Sequence, residues 1–119
     1  MNRQPAVAGT FYPANSQQLQ QLVNCLLDDA KNQSLAPKAI IAPHAGLIYS
    51  GAIAASAYSR LLQAYDTITR VILIGPSHRV SFNGLAISKA ESFSTPLGEI
   101  TVDITAVNKI TSLPFVNYY

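Results

Sequence analysis

Arg70-Val71-Ile72-Leu73-Ile74-Gly75-Pro76-Ser77-His78 is the stretch that decides the fold. Four consecutive apolar residues, β-branched at three positions and closed by Gly-Pro, describe a short strand with no polar face. Such strands belong to parallel sheets covered on both sides. An earlier run, Lys38-Ala39-Ile40-Ile41-Ala42-Pro43-His44, repeats the pattern. A helical segment lies between the two. Strand, crossover helix and strand make a parallel βαβ unit. The predicted class is α/β, a three-layer α/β/α arrangement around a mainly parallel central sheet. Ligands of such sheets bind beyond the carboxyl ends of the strands. His44 and His78, the two histidines of the chain, follow those ends.

With 119 residues the chain has the length of one domain, read as spanning 1–119. It is 49% hydrophobic and only 12% charged, which predicts extensive burial. Net charge is +2 and the eight Lys and Arg are scattered, so no nucleic-acid surface is expected. No apolar stretch approaches the ~20 residues that span a bilayer. The segment Met1-Asn2-Arg3-Gln4-Pro5 has no apolar signal core. One cysteine makes no internal disulfide. The reading is a soluble, cytoplasmic protein without membrane or nucleic-acid partners.

Outward from the two runs, residues 1–14 read as irregular, with the apolar 6–12 packed against the body. Asn15 or Ser16 caps an amphipathic helix whose stripe is Leu19, Leu22, Val23, Leu26, Leu27 and Ala30. Residues 32–37 form a linker. A second helix, roughly 51–64, is rich in alanine and is expected to be buried on more than one side, with Ile53, Ala57, Leu61 and Ala64 on one face. Further on come a strand at 84–88, a turn at 94–98, a brief strand at 99–102 and a short helix capped by Asp103. The apolar, aromatic ending Phe115-Val116-Asn117-Tyr118-Tyr119 resembles the middle of an element.

His44 and His78 lead the chemistry. Each sits beside a proline that stiffens the local backbone. Neutral imidazole suits Fe, Cu, Zn and Ni, and it exchanges protons near neutral pH. Loop histidines bonded to backbone carbonyls are the plainer alternative. Two histidines do not complete a metal site, so a further ligand must come from Asp, Glu or Cys. Cys25 lies on the flank of the first helix and reads as an inert thiol. Gly46-Leu47-Ile48-Tyr49-Ser50-Gly51 has P-loop glycine spacing but lacks the following lysine. Gly75-Pro76-Ser77-His78-Arg79 begins like a nucleophile elbow, but arginine stands where its last glycine belongs. Tyr49 and Ser50 beside His44, and Ser77 and Arg79 beside His78, are candidate substrate contacts, with Arg79 suited to an anion.

Four segments together resemble the Memo-like family, whose bacterial and archaeal members are often called AmmeMemoRadiSam system protein B. They are Arg3-Gln4-Pro5-Ala6-Val7-Ala8-Gly9-Thr10-Phe11-Tyr12-Pro13, Pro43-His44-Ala45-Gly46-Leu47-Ile48-Tyr49-Ser50-Gly51, Gly75-Pro76-Ser77-His78 and Thr95-Pro96-Leu97-Gly98-Glu99. They occur in family order. The resemblance implies a fold similar to class III extradiol (LigB-type) non-haem iron dioxygenases. It implies a metal-binding cleft with His44 and His78 as two ligands, iron or copper as the metal, and oxidative, dioxygenase-like chemistry in an intact parent. The alternative it leaves is a non-catalytic module that holds a peptide or small anion. The family is about twice as long as this chain, so the resemblance also implies an N-terminal fragment with half a site. Such a fragment is expected to be inactive and to oligomerise through surface that truncation exposes.

Overall fold

Asn15 opens the first helix by accepting the Gln18 amide N–H on its side-chain oxygen at 2.9 Å. The computed structural model describes residues 1–31 and 34–119, so Asn32 and Gln33 of the predicted linker lie outside the described residues. The chain divides into two units, Pro5–Thr69 and Met1–Gln4 with Arg70–Tyr119. The class is α/β, with parallel and antiparallel strand pairs.

The unit Pro5–Thr69 is built on two helices, α1 (Ser16–Asp29) and α2 (Leu47–Tyr58), the second continuing as a 3-10 turn over Ser59–Ala64. Leu19 of α1 and Gly51, Ala54 and Ala55 of α2 are buried. A Cβ on Gly51 would stand 2.9 Å from Leu26 Cδ1, so the missing side chain sets how near α2 comes to α1. Ser59, 1% exposed, donates its hydroxyl to the Ala30 carbonyl at 2.9 Å. That bond satisfies an acceptor at the end of α1 that has no partner within the helix. The buried stripe is therefore Gly51, Ala54, Ala55 and Ser59, not the predicted face through Ile53. Ile48, Tyr49 and Ile53 are exposed, so α2 is covered on one side only.

Residues 6–12, expected to pack against the body, form a tight turn. The Thr10 and Phe11 amides both donate to the Val7 carbonyl, and the Gly9 amide donates to Tyr12. Gly9 has φ +83°, a conformation that suits glycine. The Phe11 carbonyl in turn accepts the Leu47 amide at 2.9 Å, satisfying a free N–H at the start of α2. This contact explains why α2 starts four residues before the predicted Gly51.

In the other unit β1 (Asn2–Arg3) pairs in parallel with β3 (Ser92–Thr95), which pairs antiparallel with β4 (Gly98–Thr101). The β3–β4 turn falls at the predicted Pro96 position. It is locked by the Thr95 hydroxyl, which donates to the Gly98 carbonyl and accepts the Leu97 amide. Asn2 holds the sheet laterally, donating to Glu99 at 2.7 Å and accepting from Ser94 at 2.8 Å. The Arg3 guanidinium lies 5.7 Å from the Phe93 ring centre. Strand β2 (Leu85–Ile87) pairs in parallel with β5 (Val116–Tyr118). Helix α3 (Ile104–Ile110) is capped as expected by Asp103, which accepts the Ala106 amide at 3.0 Å.

The two apolar runs behave differently from expectation. Residues 38–43 and 70–77 lie in none of these strands. Ile41 is fully exposed, and Val71, Ile72, Leu73 and Ile74 are each 74–85% exposed. β-conformation is a local preference, but a ladder needs neighbours, and among the described residues none is paired with either run. Among the described residues no helix is long and apolar enough to cross a membrane.

Both carboxylates with a lowered pKa belong to the unit that holds the sheets. The Ala106 amide, aided by Arg70 2.7 Å away, holds Asp103 below the usual aspartate range. The N-terminal ammonium, bonded to Glu91, does the same there. A lowered folded-state pKa gives stability that is present above the unfolded value and lost as pH falls through the folded one. Acidification below about pH 4 should therefore loosen this unit. Amide exchange should rise first along β1, β3 and the start of α3. Because both groups are exposed, raising the salt should shrink the effect.

Candidate functional site

His44 lies two residues before Gly46, the residue that caps α2, in the unit Pro5–Thr69. His78 lies in a bend at 78–79 in the unit that holds the sheets. Both are exposed, and neither is without a partner.

Each histidine sits beside a loop closed by a serine. The Ser50 hydroxyl donates to the Ala45 carbonyl at 3.0 Å, and the Ser50 amide donates to Gly46 at 3.1 Å. These bonds fold residues 45–50 onto the first turn of α2. The Ser77 hydroxyl donates to the Val80 carbonyl at 2.5 Å and accepts the Val80 amide at 3.3 Å. That pair of bonds closes 77–80 around His78 and Arg79. Both serines were marked in the sequence as substrate contacts, and their hydroxyls are committed here to the backbone. The local spacing Ser-x-x-Val carries the signal for such a turn at 77–80, since serine bonds readily to nearby backbone. Tyr49, on the first turn of α2, is exposed, as is Arg79.

Among the described residues, no group of three or more His, Cys, Asp or Glu is gathered to hold a metal. Cys25 is an exposed free thiol on α1. A shallow cleft lined by Leu26, Asp29, Ala30, Ala52 and Ser56 contains neither histidine.

Residues 3–117 match the family model described as Memo-like protein. The chain is similar to a MEMO1 family protein of Aquifex aeolicus (strain VF5), 36% identical over 97% of this chain and 42% of that protein. It is similar to Protein MEMO1 of Danio rerio, 41% identical over 85% of this chain and 33% of that protein. It is also similar to a Protein memo-1 homolog of Caenorhabditis elegans, at 38% over 85% and 28%. The chain thus spans less than half the length of these relatives.

Proposed function

The chain belongs to the Memo-like family, and on that premise we propose that His44 and His78 supply two nitrogen ligands to an iron or copper site in a cleft related to those of non-haem iron dioxygenases. The observation that carries this reading is the placement of the two histidines in segments of the family match, each exposed and each next to a serine-closed loop. Rigid loops favour metal binding because less freedom is lost when the rings are fixed.

The donor type fits iron or copper, but the donor number does not. A facial site for non-haem iron uses two histidines and a carboxylate, and among the described residues no group of three such donors is gathered. When bound with open positions, such a metal supplies oxidative chemistry. This chain by itself supplies two of those three ligands and turns over no substrate. Ser50 and Ser77 act as positioning residues for the two loops. Tyr49 and Arg79 are the side chains offered to a small-molecule or peptide ligand, with Arg79 suited to a carboxylate or phosphate. Because the donor set is short, a second reading follows, in which these same residues hold a peptide or small anion without catalysis.

Anaerobic titration with Fe(II), and separate titration with Cu(II), separates the readings. The protein should carry Cys25→Ser, since the exposed thiol is a competing copper ligand. Weak one-to-one uptake is expected, and the His44→Ala, His78→Ala pair should abolish it while leaving the circular dichroism spectrum intact. Equal uptake by the double variant would remove the ligand assignment.

A further inference from the structure

Asn83-Gly84 is the one Asn-Gly pair among the seven asparagines of the chain. Each of the other asparagines precedes a residue with a side chain, which shields the backbone nitrogen it shares with that asparagine. The difference matters because the Cγ of an asparagine is open to attack by the amide nitrogen of the next residue. Glycine has no Cβ to obstruct that approach. Asn83 is exposed and lies in a bend outside every helix and strand, within reach of water. Among the described residues neither its side-chain amide nor the Gly84 N–H is held by a hydrogen bond. Other asparagine side chains are held. Asn2 bonds to Glu99 and Ser94, and Asn15 accepts the Gln18 amide. Asn24 accepts from Gln20, and Asn108 accepts from Tyr118.

The same pair adjoins the β2–β5 ladder. Gly84 has φ +81°, and its backbone lies so near Phe115 that a Cβ would fall 2.2 Å from that carbonyl oxygen. The next amide, Leu85, donates to the same oxygen at 2.8 Å. At the other end of the ladder the Tyr119 amide donates to the Ile87 carbonyl at 2.9 Å. The main chain at Gly84 therefore has no slack, and a change in its length is passed directly to the strand pair.

We infer that Asn83 is a site of spontaneous deamidation, with water as the co-reactant, and that its isoaspartyl product loosens the β2–β5 ladder. The Gly84 nitrogen bonds to Asn83 Cγ, the Cγ–Nδ2 bond breaks, and ammonia leaves with the proton that the Gly84 amide gave up. A cyclic imide remains, joining the side chain of residue 83 to its own main chain. Water then splits either C–N bond of the ring. Cleavage at Cγ gives aspartate on a normal backbone. Cleavage at the main-chain carbonyl gives isoaspartate, whose backbone runs through Cβ and Cγ. In total an amide and water become a carboxylic acid and ammonia, and nothing is oxidised or reduced. The aspartyl product keeps the backbone length and the ladder. The isoaspartyl product lengthens the backbone immediately before Gly84, where the Phe115 carbonyl leaves no room. Its free α-carboxylate suits a carboxyl methyltransferase that draws its methyl group from S-adenosylmethionine.

The test is to age the full 119-residue chain in mildly alkaline buffer, cleave it with trypsin in mild acid and map the peptides by mass. Cleavage after Arg79 and Lys89 releases residues 80–89, in which Asn83 is the one asparagine. Asn83 should convert about tenfold faster than any other asparagine, a barrier lower by ~1.4 kcal/mol. Both aspartyl and isoaspartyl forms should accumulate, and faster at higher pH, because the attacking amide must lose its proton. Asn83→Gln should suppress conversion at this position, since its longer side chain must close a larger ring. The Leu85 and Tyr119 amides should exchange faster in the isoaspartyl fraction than in the aspartyl fraction or in Asn83→Asp, which carry the same charge on a normal backbone. A peptide 80–89 that keeps its amide, or converts no faster than the other asparagine peptides, would overturn the site. Equal exchange in the isoaspartyl and aspartyl fractions would overturn the effect on the ladder.

Discussion

Gly84→Ala should part the β2–β5 ladder and cost the unit that contains it on the order of 3 kcal/mol. Gly84 sits at φ +81°, where a side chain is strained. A Cβ there would also fall 2.2 Å from the Phe115 carbonyl oxygen and 3.1 Å from its carbon. Those atoms are backbone, so relief requires moving the main chain rather than turning a rotamer. The same carbonyl accepts the Leu85 amide at 2.8 Å, and it leads into the register that aligns Leu85 with Val116. Displacing it therefore removes the first bond of the ladder as well as adding strain. Gly75→Ala is the control, since nothing lies within 4 Å of its added carbon. Thermal and urea unfolding should show a large loss for Gly84→Ala and almost none for Gly75→Ala. Matching midpoints for the two variants would refute the argument.

Ala55→Asp should be comparably severe in the other unit. Ala55 is buried on the stripe of α2 that includes Gly51, which abuts Leu26 of α1, and Ser59, which bonds to Ala30. A carboxylate introduced there loses its hydration, and the penalty is expected to be about 3 kcal/mol or more. Burial raises the pKa of the new group, so the folded unit holds its proton more tightly than the unfolded one does. The deficit should accordingly grow as pH rises through the unfolded carboxylate value toward the raised folded one, and shrink in acid. Helical circular dichroism at 222 nm, followed against temperature at about pH 4 and pH 7, reads this directly. Ala52→Asp places the same charge at an exposed position of the same helix and should change little. A deficit independent of pH would mean that steric crowding, not charge burial, dominates.

Helix boundaries and caps were legible because their causes are local. Asn15 and Asp103 advertise their roles within three residues of the amides they accept, and the stripe of α1 repeats at a helical period. The start of α2 was not legible, because it depends on the Phe11 carbonyl, which is distant in sequence. Strands β1 and β5 were missed for a similar reason. Two or three residues carry no period, and pairing with β3 and β2 is what defines them. The runs at 38–43 and 70–77 show the reverse case. Their composition announces a buried strand, yet burial requires neighbours that the described residues do not supply. Of the candidate site, the two histidines and the prolines that stiffen the backbone beside them could be named from the sequence. The hydroxyl bond of Ser50 to the Ala45 carbonyl could not, since serine at such a position serves ligands and turns equally well, and the local signal for the Ser77 turn was read instead as a substrate contact.

The opening dozen residues serve two masters. Asn2 and Arg3 furnish an outer strand for one unit, while the Phe11 carbonyl quenches a bare amide at the head of a helix in the other. Trimming this segment to tidy an expression clone, or burying it under an affinity tag, would injure both units at once although neither has its main hydrophobic contacts there.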